Sequence, residues 1–230
     1  MSANRPKVLL ADDHVILLEA FKKLLEPICH VVGAVTDGRA LVDAALKLKP
    51  DVVVADINMP QLNGLDACEH LRTRLPRTKL IFLTVNEDPE TAMDAIRRGA
   101  SGYLLKKSAS TELFEAIQKV SMGRTYMTPF ISREPVAVFV ARAKSIKTEG
   151  SLTLRQREVL QLIAEGRSMK EAADVLKVTP RTIAFHKYSM MEQLGLKTTA
   201  ELIRHATDLG LVTGHATSSS RLANPSACQF

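Results

Sequence analysis

The sequence predicts an α/β protein in two parts: a doubly wound five-stranded parallel sheet, followed by a small all-α four-helix unit. Two observations support this prediction. In the first half of the chain, short apolar runs alternate with segments at helical spacing, whereas after residue 150 the apolar residues recur at helical spacing only. A chain of 230 residues is long enough to give each of two small domains its own core.

Five apolar runs in the first half have the length of a strand. Runs without a polar interruption are typical of strands buried on both faces of a parallel sheet. The helical segments between them supply right-handed crossovers. The runs are 8–11, 31–34, 52–55, 80–83 and 103–105, and the helical segments are 14–26, 38–48, 63–74, 88–98 and 110–122.

The second half carries the start and stop signals of short helices. Gly166 ends one helix, Ser168 caps the next, and Thr179 followed by Pro180 starts a third. Two short helices joined by a tight turn, inside a four-helix unit, are typical of a helix-turn-helix. The predicted helices are 153–165, 168–176, 180–194 and 198–209.

These patterns divide the chain into four segments. The sheet domain takes 1–125 and the helical domain takes 150–212. Between them, 126–149 is a linker with an apolar helix over 129–143, which we expect to pack on either domain or on a second subunit. The last segment, 213–230, has little to bury, so we expect a flexible tail.

Composition argues against several classes of protein. No apolar run approaches the roughly 20 residues of a membrane-spanning helix, and the N-terminus lacks the apolar core of a signal peptide. Three cysteines far apart indicate neither a disulfide framework nor a zinc site, so a reducing cytoplasm is the expected compartment. The net charge is +6, but nine Lys and Arg against seven Asp and Glu in 150–212 do not alone establish nucleic-acid binding.

Charged and hydroxyl side chains are concentrated where the predicted strands end. Asp12 and Asp13 follow the first strand and Asp56 follows the third, while Thr84 and Lys106 end the fourth and fifth. Ligands of doubly wound sheets bind at this edge. Three carboxylates together repel one another unless a cation neutralises them, and oxygen ligands suit Mg²⁺. A carboxylate beside that ion can act as a nucleophile toward phosphorus.

Each of these residues also has an ordinary structural interpretation. Asp13 could be a helix N-cap, Thr84 a cap or turn residue, and Lys106 a solvated surface charge. Their occurrence together at the ends of four strands favours the functional interpretation.

Four motifs surround these strand ends: Leu10-Ala11-Asp12-Asp13-His14, Val54-Ala55-Asp56-Ile57-Asn58-Met59-Pro60 with Gly64, Leu83-Thr84, and Gly99-Ala100-Ser101-Gly102-Tyr103-Leu104-Leu105-Lys106. With them, residues 5–124 resemble a response regulator receiver domain, which has a flavodoxin-like fold. The resemblance implies that Asp56 accepts a phosphoryl group from a histidine kinase. It also implies that Mg²⁺ is held by Asp13, Asp56, the backbone carbonyl of Asn58 and, mainly through water, Asp12.

The same resemblance implies a switch beside the phosphorylated residue. The Thr84 hydroxyl would move toward the phosphoryl group, and the ring of Tyr103, otherwise an ordinary core aromatic, would repack. Lys107 stands where many receivers have Pro. Two adjacent lysines, Lys106 and Lys107, leave open which of them points into the pocket, although the spacing from Tyr103 favours Lys106.

A second set of residues spans the helical unit: Leu152-Thr153, Arg155, Glu158-Val159-Leu160, Gly166, Ser168, Lys170-Glu171, Ala173, Leu176, Thr182-Ile183, His186, Leu194 and Ala200-Glu201-Leu202. With these residues the region resembles the LuxR-type module of NarL/FixJ response regulators. Gln156, Met169 and Ala184 depart from the Glu, Asn and Lys that are common at those positions.

The resemblance implies that helix 180–194 enters the major groove of DNA. Positions that read bases in the family fall on Ala184, Phe185 and Tyr188, a surface suited to apolar contacts such as a thymine methyl. Phe185 has a core position as its alternative. The candidate DNA-binding residues are Lys170, Arg181, Thr182, Ala184, Phe185, Lys187 and Tyr188.

Together the two resemblances imply a phosphorylation-dependent, DNA-binding regulator of transcription in a two-component system, dimeric once activated. An enzyme is not expected beyond slow self-phosphorylation and dephosphorylation, because no second acid/base carboxylate accompanies Asp56. The alternative is a receiver-controlled protein-interaction module with impaired DNA reading, which Met169 and Ala184 keep open. Phosphorylation would either promote dimerisation or release the recognition helix.

Overall fold

The computed structural model describes residues 5–129, 131, 136–145 and 152–212. The predicted tail, 213–230, lies outside these residues. The described chain forms a parallel sheet flanked by helices, followed by a unit of four helices. Its strands are β1 (Lys7–Ala11), β2 (His30–Val35), β3 (Val52–Asp56), β4 (Lys79–Thr84), β5 (Gly102–Leu105) and β6 (Tyr126–Met127), and its α-helices are α1 (Val15–Leu25), α2 (Gly38–Leu48), α3 (Gly64–Arg74), α4 (Pro89–Arg97), α5 (Ala109–Ser121), α6 (Val136–Ser145), α7 (Leu154–Ala164), α8 (Met169–Leu176), α9 (Pro180–Gln193) and α10 (Thr199–Asp208).

The strands lie in the order β2-β1-β3-β4-β5-β6, and all neighbouring pairs are parallel. The doubly wound parallel sheet is confirmed, and β1 to β5 lie within one residue of the predicted runs. The predicted number of five strands is wrong. Tyr126 and Met127 form a sixth strand opposite Gly102 and Tyr103 of β5. Two residues are too few to leave a recognisable apolar run in the sequence.

The sheet separates two apolar layers. One layer is covered by α2, α3 and α4, and includes the buried rings of Phe82 and Tyr103. The other is covered by α1 and α5. Because helices cover both faces, β3 is buried throughout, and β1 and β4 are buried at every position after their first residue, which explains the uninterrupted apolar runs.

The helix predicted in the linker packs on the sheet domain. It is α6, which begins later than predicted, and it lies against α4. Phe139 and Ala143 of this helix are buried in the same apolar layer as Phe82 and Ile131. β6 and α6 thus extend the sheet domain by one strand and one helix.

The four-helix unit agrees with the predicted boundaries to within one residue. Each of its helices begins with a strong cap, and a separate apolar cluster holds the four helices together. None of them, nor any other helix in the described part of the chain, is long and apolar enough to cross a membrane. The caps are the capping boxes Thr153 with Gln156, Ser168 with Glu171 and Thr198 with Glu201, and Thr179 before Pro180 at α9.

Candidate functional site

Four side chains that offer metal ligands converge at the carboxyl ends of β1 and β3. The last paired residues of these strands immediately precede Asp12 and Asp56, which makes the two carboxylates neighbours. Asp13 and His14 complete the group, and one ligand atom from each residue lies within 4.8 Å of the others. Asp12 and Asp56 are buried, whereas Asp13 and His14 are exposed. The group is therefore open to solvent on one side.

Lys106 is the cation of this pocket. Its Nζ lies 2.7 Å from Asp12 Oδ2 and 2.8 Å from Asp56 Oδ2, and its side chain is only 10% exposed. The side chain of Lys107 is 57% exposed and forms an ion pair with Glu87 instead. Of the two adjacent lysines, the structure therefore brings Lys106 into the acidic group.

One ammonium does not neutralise the carboxylates. Burial, and then the charge of Asp12, raise the pKa of Asp56, although Lys106 and the backbone N–H of Asn58 act in the opposite direction. Asp12 Oδ2 is buried and has only its ion pair to Lys106, without a well-formed hydrogen bond. An excess of hard oxygen donors in a partly open site fits a divalent cation such as Mg²⁺.

Thr84 and Tyr103 are linked to one another through a residue that the sequence did not indicate. Thr84 is fully buried, and its Oγ1 accepts a hydrogen bond of 3.0 Å from the backbone N–H of Asn86. The Tyr103 hydroxyl donates to the carbonyl oxygen of Asn86 at 3.1 Å, with the ring buried. Burial, and then the charges of Asp88 and Asp56, raise the pKa of the Tyr103 hydroxyl. Thr84 thus holds a turn here, as its ordinary interpretation proposed.

The loop after β3 makes an unusually close approach to the end of that strand. The Gly64 N–H donates to the Ile57 carbonyl oxygen at 2.7 Å. A Cβ on Gly64 would lie 2.2 Å from the carbonyl oxygen of Asp56, inside van der Waals contact. Glycine at this position therefore allows α3 to start directly against the strand that carries Asp56.

The predicted recognition helix, α9, presents an outward stripe at helical spacing. Phe185 is 68% exposed and Tyr188 is 61% exposed, so the core alternative for Phe185 is wrong. Arg181 is exposed one turn before Phe185. The opposite side of the helix is anchored by the buried Ile183 and Met190. Of the other candidates, Lys170 is exposed on α8, Thr182 and Ala184 are half-buried, and the Nζ of the half-buried Lys187 lies 5.9 Å from the ring centroid of Tyr188.

Known proteins combine the same two parts. Residues 8–118 match the response regulator receiver domain, and residues 150–206 match the bacterial regulatory proteins of the luxR family. The transcriptional regulatory protein MctR of Rhizobium johnstonii is 39% identical over 216 residues, which cover 91% of this chain and 98% of MctR. This chain belongs to the NarL/FixJ family of response regulators. The oxygen regulatory protein NreC of Staphylococcus aureus is 34% identical to this response regulator over 208 residues, covering 87% of it and 96% of NreC.

Solved structures share the architecture of this response regulator. RcsB of Salmonella typhimurium is 28% identical, with a TM-score of 0.60, and the match covers 90% of this chain and 99% of the RcsB chain. An RcsB–DNA complex is 29% identical, with a TM-score of 0.54, covering 91% and 100% of the two chains. The family consists of DNA-binding regulators of transcription rather than enzymes, and the expected phosphorylation-dependent control of transcription is confirmed at this level.

In this response regulator, α7 contacts the loop that follows β3, the strand that ends at Asp56. Gln161 Nε2 donates to the Met59 carbonyl oxygen at 2.9 Å, and Gln161 Oε1 accepts from the Asn63 N–H at 2.8 Å. Glu165 Oε1 accepts from the Gln61 N–H at 2.8 Å. Two side chains of the helical domain therefore hold three backbone groups of one receiver loop.

Ion pairs surround these hydrogen bonds. Asp66, at the start of α3, is fully buried, and its Oδ1 lies 2.7 Å from Arg157 Nε and 2.8 Å from Arg98 Nη1. The same two arginines contact Glu69 Oε2, at 2.6 Å and 3.3 Å respectively. Arg157 comes from the helical domain and Arg98 from the receiver, so each domain supplies one cation to the same carboxylates.

Glu158 of α7 is the second buried carboxylate of this interface. It lies 2.5 Å from His70 Nε2 and 3.2 Å from Arg39 Nη2, both on the receiver, and 2.7 Å from Arg155 Nη1 of its own helix. Burial alone would raise the pKa of Glu158, but hydrogen bonds from His70 and Arg155 and the charge of Arg39 lower it to about 2.

A carboxyl group with a lowered pKa stabilises the fold above its ordinary pKa of 4.5 and loses that contribution as the pH falls toward 2. We expect the free energy of unfolding to fall by up to about 3 kcal/mol through this window on account of Glu158. The Glu158→Gln variant should give a flatter profile in denaturant unfolding followed by circular dichroism. Glu115→Gln, which removes an exposed carboxylate paired with Lys119, is the control and should keep the wild-type profile. If the free energy of unfolding fell equally with pH in wild type and Glu158→Gln, its pH dependence could not be attributed to Glu158.

Sequence reasoning missed the residues that join the two domains. Glu158, Gln161 and Glu165 recur at the spacing of one helix face, and polar residues in this pattern predict a face exposed to solvent. In the structure, Glu158 and Gln161 are instead buried. His14 stands in the first motif but is not among the predicted site residues, although its Nδ1 lies 2.7 Å from Asp13 Oδ1. Its place directly after two aspartates was the available signal.

Proposed function

We propose that this response regulator takes up a phosphoryl group on Asp56 and thereby controls how its C-terminal helices bind a specific DNA site. The observation that carries the proposal is the pocket itself: a buried Asp56 beside two further carboxylates, with Lys106 Nζ at 2.8 Å. The exposed stripe on α9 supports the DNA-binding half of the proposal.

The phosphoryl donor in this proposal is a phosphohistidine of a cognate kinase. A carboxylate oxygen of Asp56 forms a bond to phosphorus while the bond from phosphorus to the donor nitrogen breaks, and the imidazole leaves with the electron pair. Mg²⁺, when bound, supplies positive charge that offsets the carboxylates and the phosphoryl oxygens. Asp13, Asp56 and the Asn58 carbonyl would hold it, with Asp12 through water.

The remaining pocket residues act on the phosphorylated state. Lys106 would bind a phosphoryl oxygen in place of one of its two present carboxylate partners, and Thr84 would leave the turn at Asn86 to do the same. The Tyr103 ring would repack as Thr84 moves. Water would hydrolyse the phosphoryl group slowly. Hydrolysis would therefore reset the switch, and the protein would not act as an enzyme that turns over a substrate.

For this function we propose a DNA-binding domain over 150–212 and a tail over 213–230, as the sequence predicts. The receiver, which the sequence ends at residue 125, is extended by β6 and α6, and the linker predicted over 126–149 is shortened accordingly. A homodimer is the expected DNA-bound form, because few cationic side chains lie on α9 and a second copy adds contacts. One similar structure describes two RcsB dimers bound to two parallel DNAs.

The test of the proposal follows phosphoryl uptake and DNA binding together. Full-length protein treated with a small-molecule phosphodonor and Mg²⁺ should gain one phosphoryl group in intact mass spectrometry and bind a duplex selected from a random library more tightly. Asp56→Asn should show neither effect. The control is Asp43→Asn, on the exposed side of α2, which should behave as wild type. Modification at another residue, with Asp56 untouched, would overturn the proposal.

Two substitutions on α9 should separate positioning from base reading. Arg181→Ala should weaken binding to all sequences and reduce the slope of log K against log salt by about one, because one phosphate contact is lost. Tyr188→Ala should instead change sequence preference, by about 1–3 kcal/mol at one base position. Selection from a random duplex library measures both. A library that yields no selected site with phosphorylated protein would favour the protein-interaction alternative.

A further inference from the structure

We propose that a cavity at the edge of the sheet where the strands begin, opposite the pocket around Asp56, binds a small carboxylate with a short apolar body. The cavity has a volume of about 190 Å³ and lies between the ends of α4 and α5 and the linker helix α6. Lys79, the first residue of β4, and Arg124, after α5, supply its positive charge. This site is separate from the proposed function and does not depend on it.

Four polar side chains line this cavity without a partner of their own. Ser101 precedes β5 and Thr125 precedes β6, so their hydroxyl groups share one sheet edge with the two cations. Among the described residues, no ion pair or side-chain hydrogen bond involves Lys79, Arg124, Ser101 or Thr125. No acidic residue in the described part of the chain lines the cavity. Charged and hydroxyl donors that lack acceptors indicate an anionic ligand.

Cations near the ends of helices often serve only to bind the last carbonyl groups. Here the backbone satisfies these groups, because α4 and α5 both end in a Schellman motif with glycine in the left-handed region. At α4, the N–H groups of Gly99 and Ala100 donate to the carbonyls three and five residues earlier, both at 3.0 Å. Gly123 and Arg124 repeat this pattern at α5, at 2.9 and 3.0 Å. The side chains of Lys79 and Arg124 are therefore left for another partner.

The apolar lining sets the size and the chemistry of the ligand. Ile96 of α4 and Val120 of α5 are buried, and the half-buried Val140 of α6 completes this part of the lining. Drug-sized ligands occupy cavities of roughly 300–1,000 Å³, so a cavity of about 190 Å³ suits a molecule of a few carbon atoms. A short-chain carboxylate buries its alkyl part against these side chains, whereas a fully hydrated inorganic anion gains nothing from them.

An occupied cavity would attach the linker helix more firmly to the receiver. Val140 belongs to α6, which already packs on this side of the sheet through the buried Phe139 and Ala143. A ligand that contacts α4, α5 and α6 together favours the state in which α6 is packed, because it binds only that state. The carboxylate would thus act on the linker from a site distinct from Asp56.

Titration of the full-length protein with sodium butyrate, followed by the backbone amide signals in NMR spectra, tests the proposal. The signals of Gly99, Ser101 and Gly123 should shift with a dissociation constant on the order of 1 mM, which is reasonable for so small a ligand. Butyramide has the same shape without the charge and should leave these signals unchanged. Inorganic phosphate at equal ionic strength should bind at least about 5-fold more weakly than butyrate.

The variant Arg124→Gln should weaken butyrate binding by about 5- to 10-fold, because one charge-assisted hydrogen bond is lost. Arg124 is exposed, so the substitution leaves the core intact. The matched control is Arg74→Gln, which removes an exposed arginine at the end of α3, outside the cavity. This control should keep the wild-type affinity for butyrate.

Several results would overturn the proposal. Equal weakening in Arg74→Gln would show a general effect of net charge, and equal shifts with butyramide would show that the cations take no part. Phosphate that binds as tightly as butyrate would exclude the apolar lining from recognition. The proposal would also fail if no amide signal shifted at roughly 20 mM butyrate, about twenty times the expected dissociation constant. None of these results changes the outcome expected for phosphoryl uptake on Asp56.

Discussion

Replacing Gly64 by alanine should destabilise the receiver domain by roughly 3 kcal/mol, at the upper end of the usual cost of overpacking, and block phosphoryl uptake on Asp56. The new Cβ would lie 2.2 Å from the Asp56 carbonyl oxygen and 3.0 Å from Ile57 Cα. Both are backbone atoms, one in the last residue of β3 and the other in the residue that follows it, so no side-chain rotation relieves the clash. Either α3 or the end of β3 must shift, and a shift of β3 displaces Asp56.

Denaturant unfolding and intact mass spectrometry after phosphodonor treatment measure the two effects. Gly33→Ala is the matched control, because a Cβ at Gly33 meets only the methyl ends of Leu48 and Leu9, both at 3.1 Å. These methyl groups can give way, so we expect a smaller loss of stability and normal phosphoryl uptake. Wild-type stability in Gly64→Ala would show that the close approach is not required.

Replacing Lys106 by methionine should cost about 3 kcal/mol of stability near pH 7 in metal-free buffer, as expected when one partner of a buried ion pair is removed. Asp12 and Asp56 would then face each other without a cation, since both now lie within 2.8 Å of Lys106 Nζ. Lys107→Met removes a neighbouring exposed ammonium paired with Glu87 and should cost less than about 1 kcal/mol.

The pH dependence of this loss has a definite sign. The pKa of Asp56 is already raised by burial, and Lys106 opposes that rise, so its removal raises this pKa further. A carboxyl group with a raised pKa destabilises the fold at high pH and ceases to do so as the pH falls through that pKa toward the ordinary 3.8. The penalty in Lys106→Met should therefore shrink on acidification. Added Mg²⁺ should also reduce the loss of stability near neutral pH. A loss of stability that changes neither with pH nor with Mg²⁺ would contradict its electrostatic origin.

The sequence was sufficient for the parts of the structure that depend on local pattern. Continuous apolar runs located β1 to β5 because helices bury both faces of these strands, and the order of polar residues at their ends located the pocket around Asp56. Hydroxyl caps located the helices of the C-terminal domain. Each of these features is decided by neighbours within one turn or one strand of the residue concerned.

The parts that were missed depend on which surfaces meet. A polar stripe such as Glu158, Gln161 and Glu165 has the same spacing whether it faces water or another domain, so its burial could not be deduced. The position of Phe185 was ambiguous for the same reason, since an aromatic on a short helix suits either a core or a binding surface. The sixth strand escaped notice because its pairing with β5 involves only two residues.

The extension of the sheet by β6 and α6 matters for how the receiver is isolated. A truncated chain that ends at residue 125 would leave β5 as an open edge, with unpaired backbone groups along Gly102 and Tyr103. It would also strip Phe139 and Ala143 from α4 and expose apolar surface there. Both defects favour aggregation, whereas a fragment that continues through Ser145 keeps that edge and that helix covered.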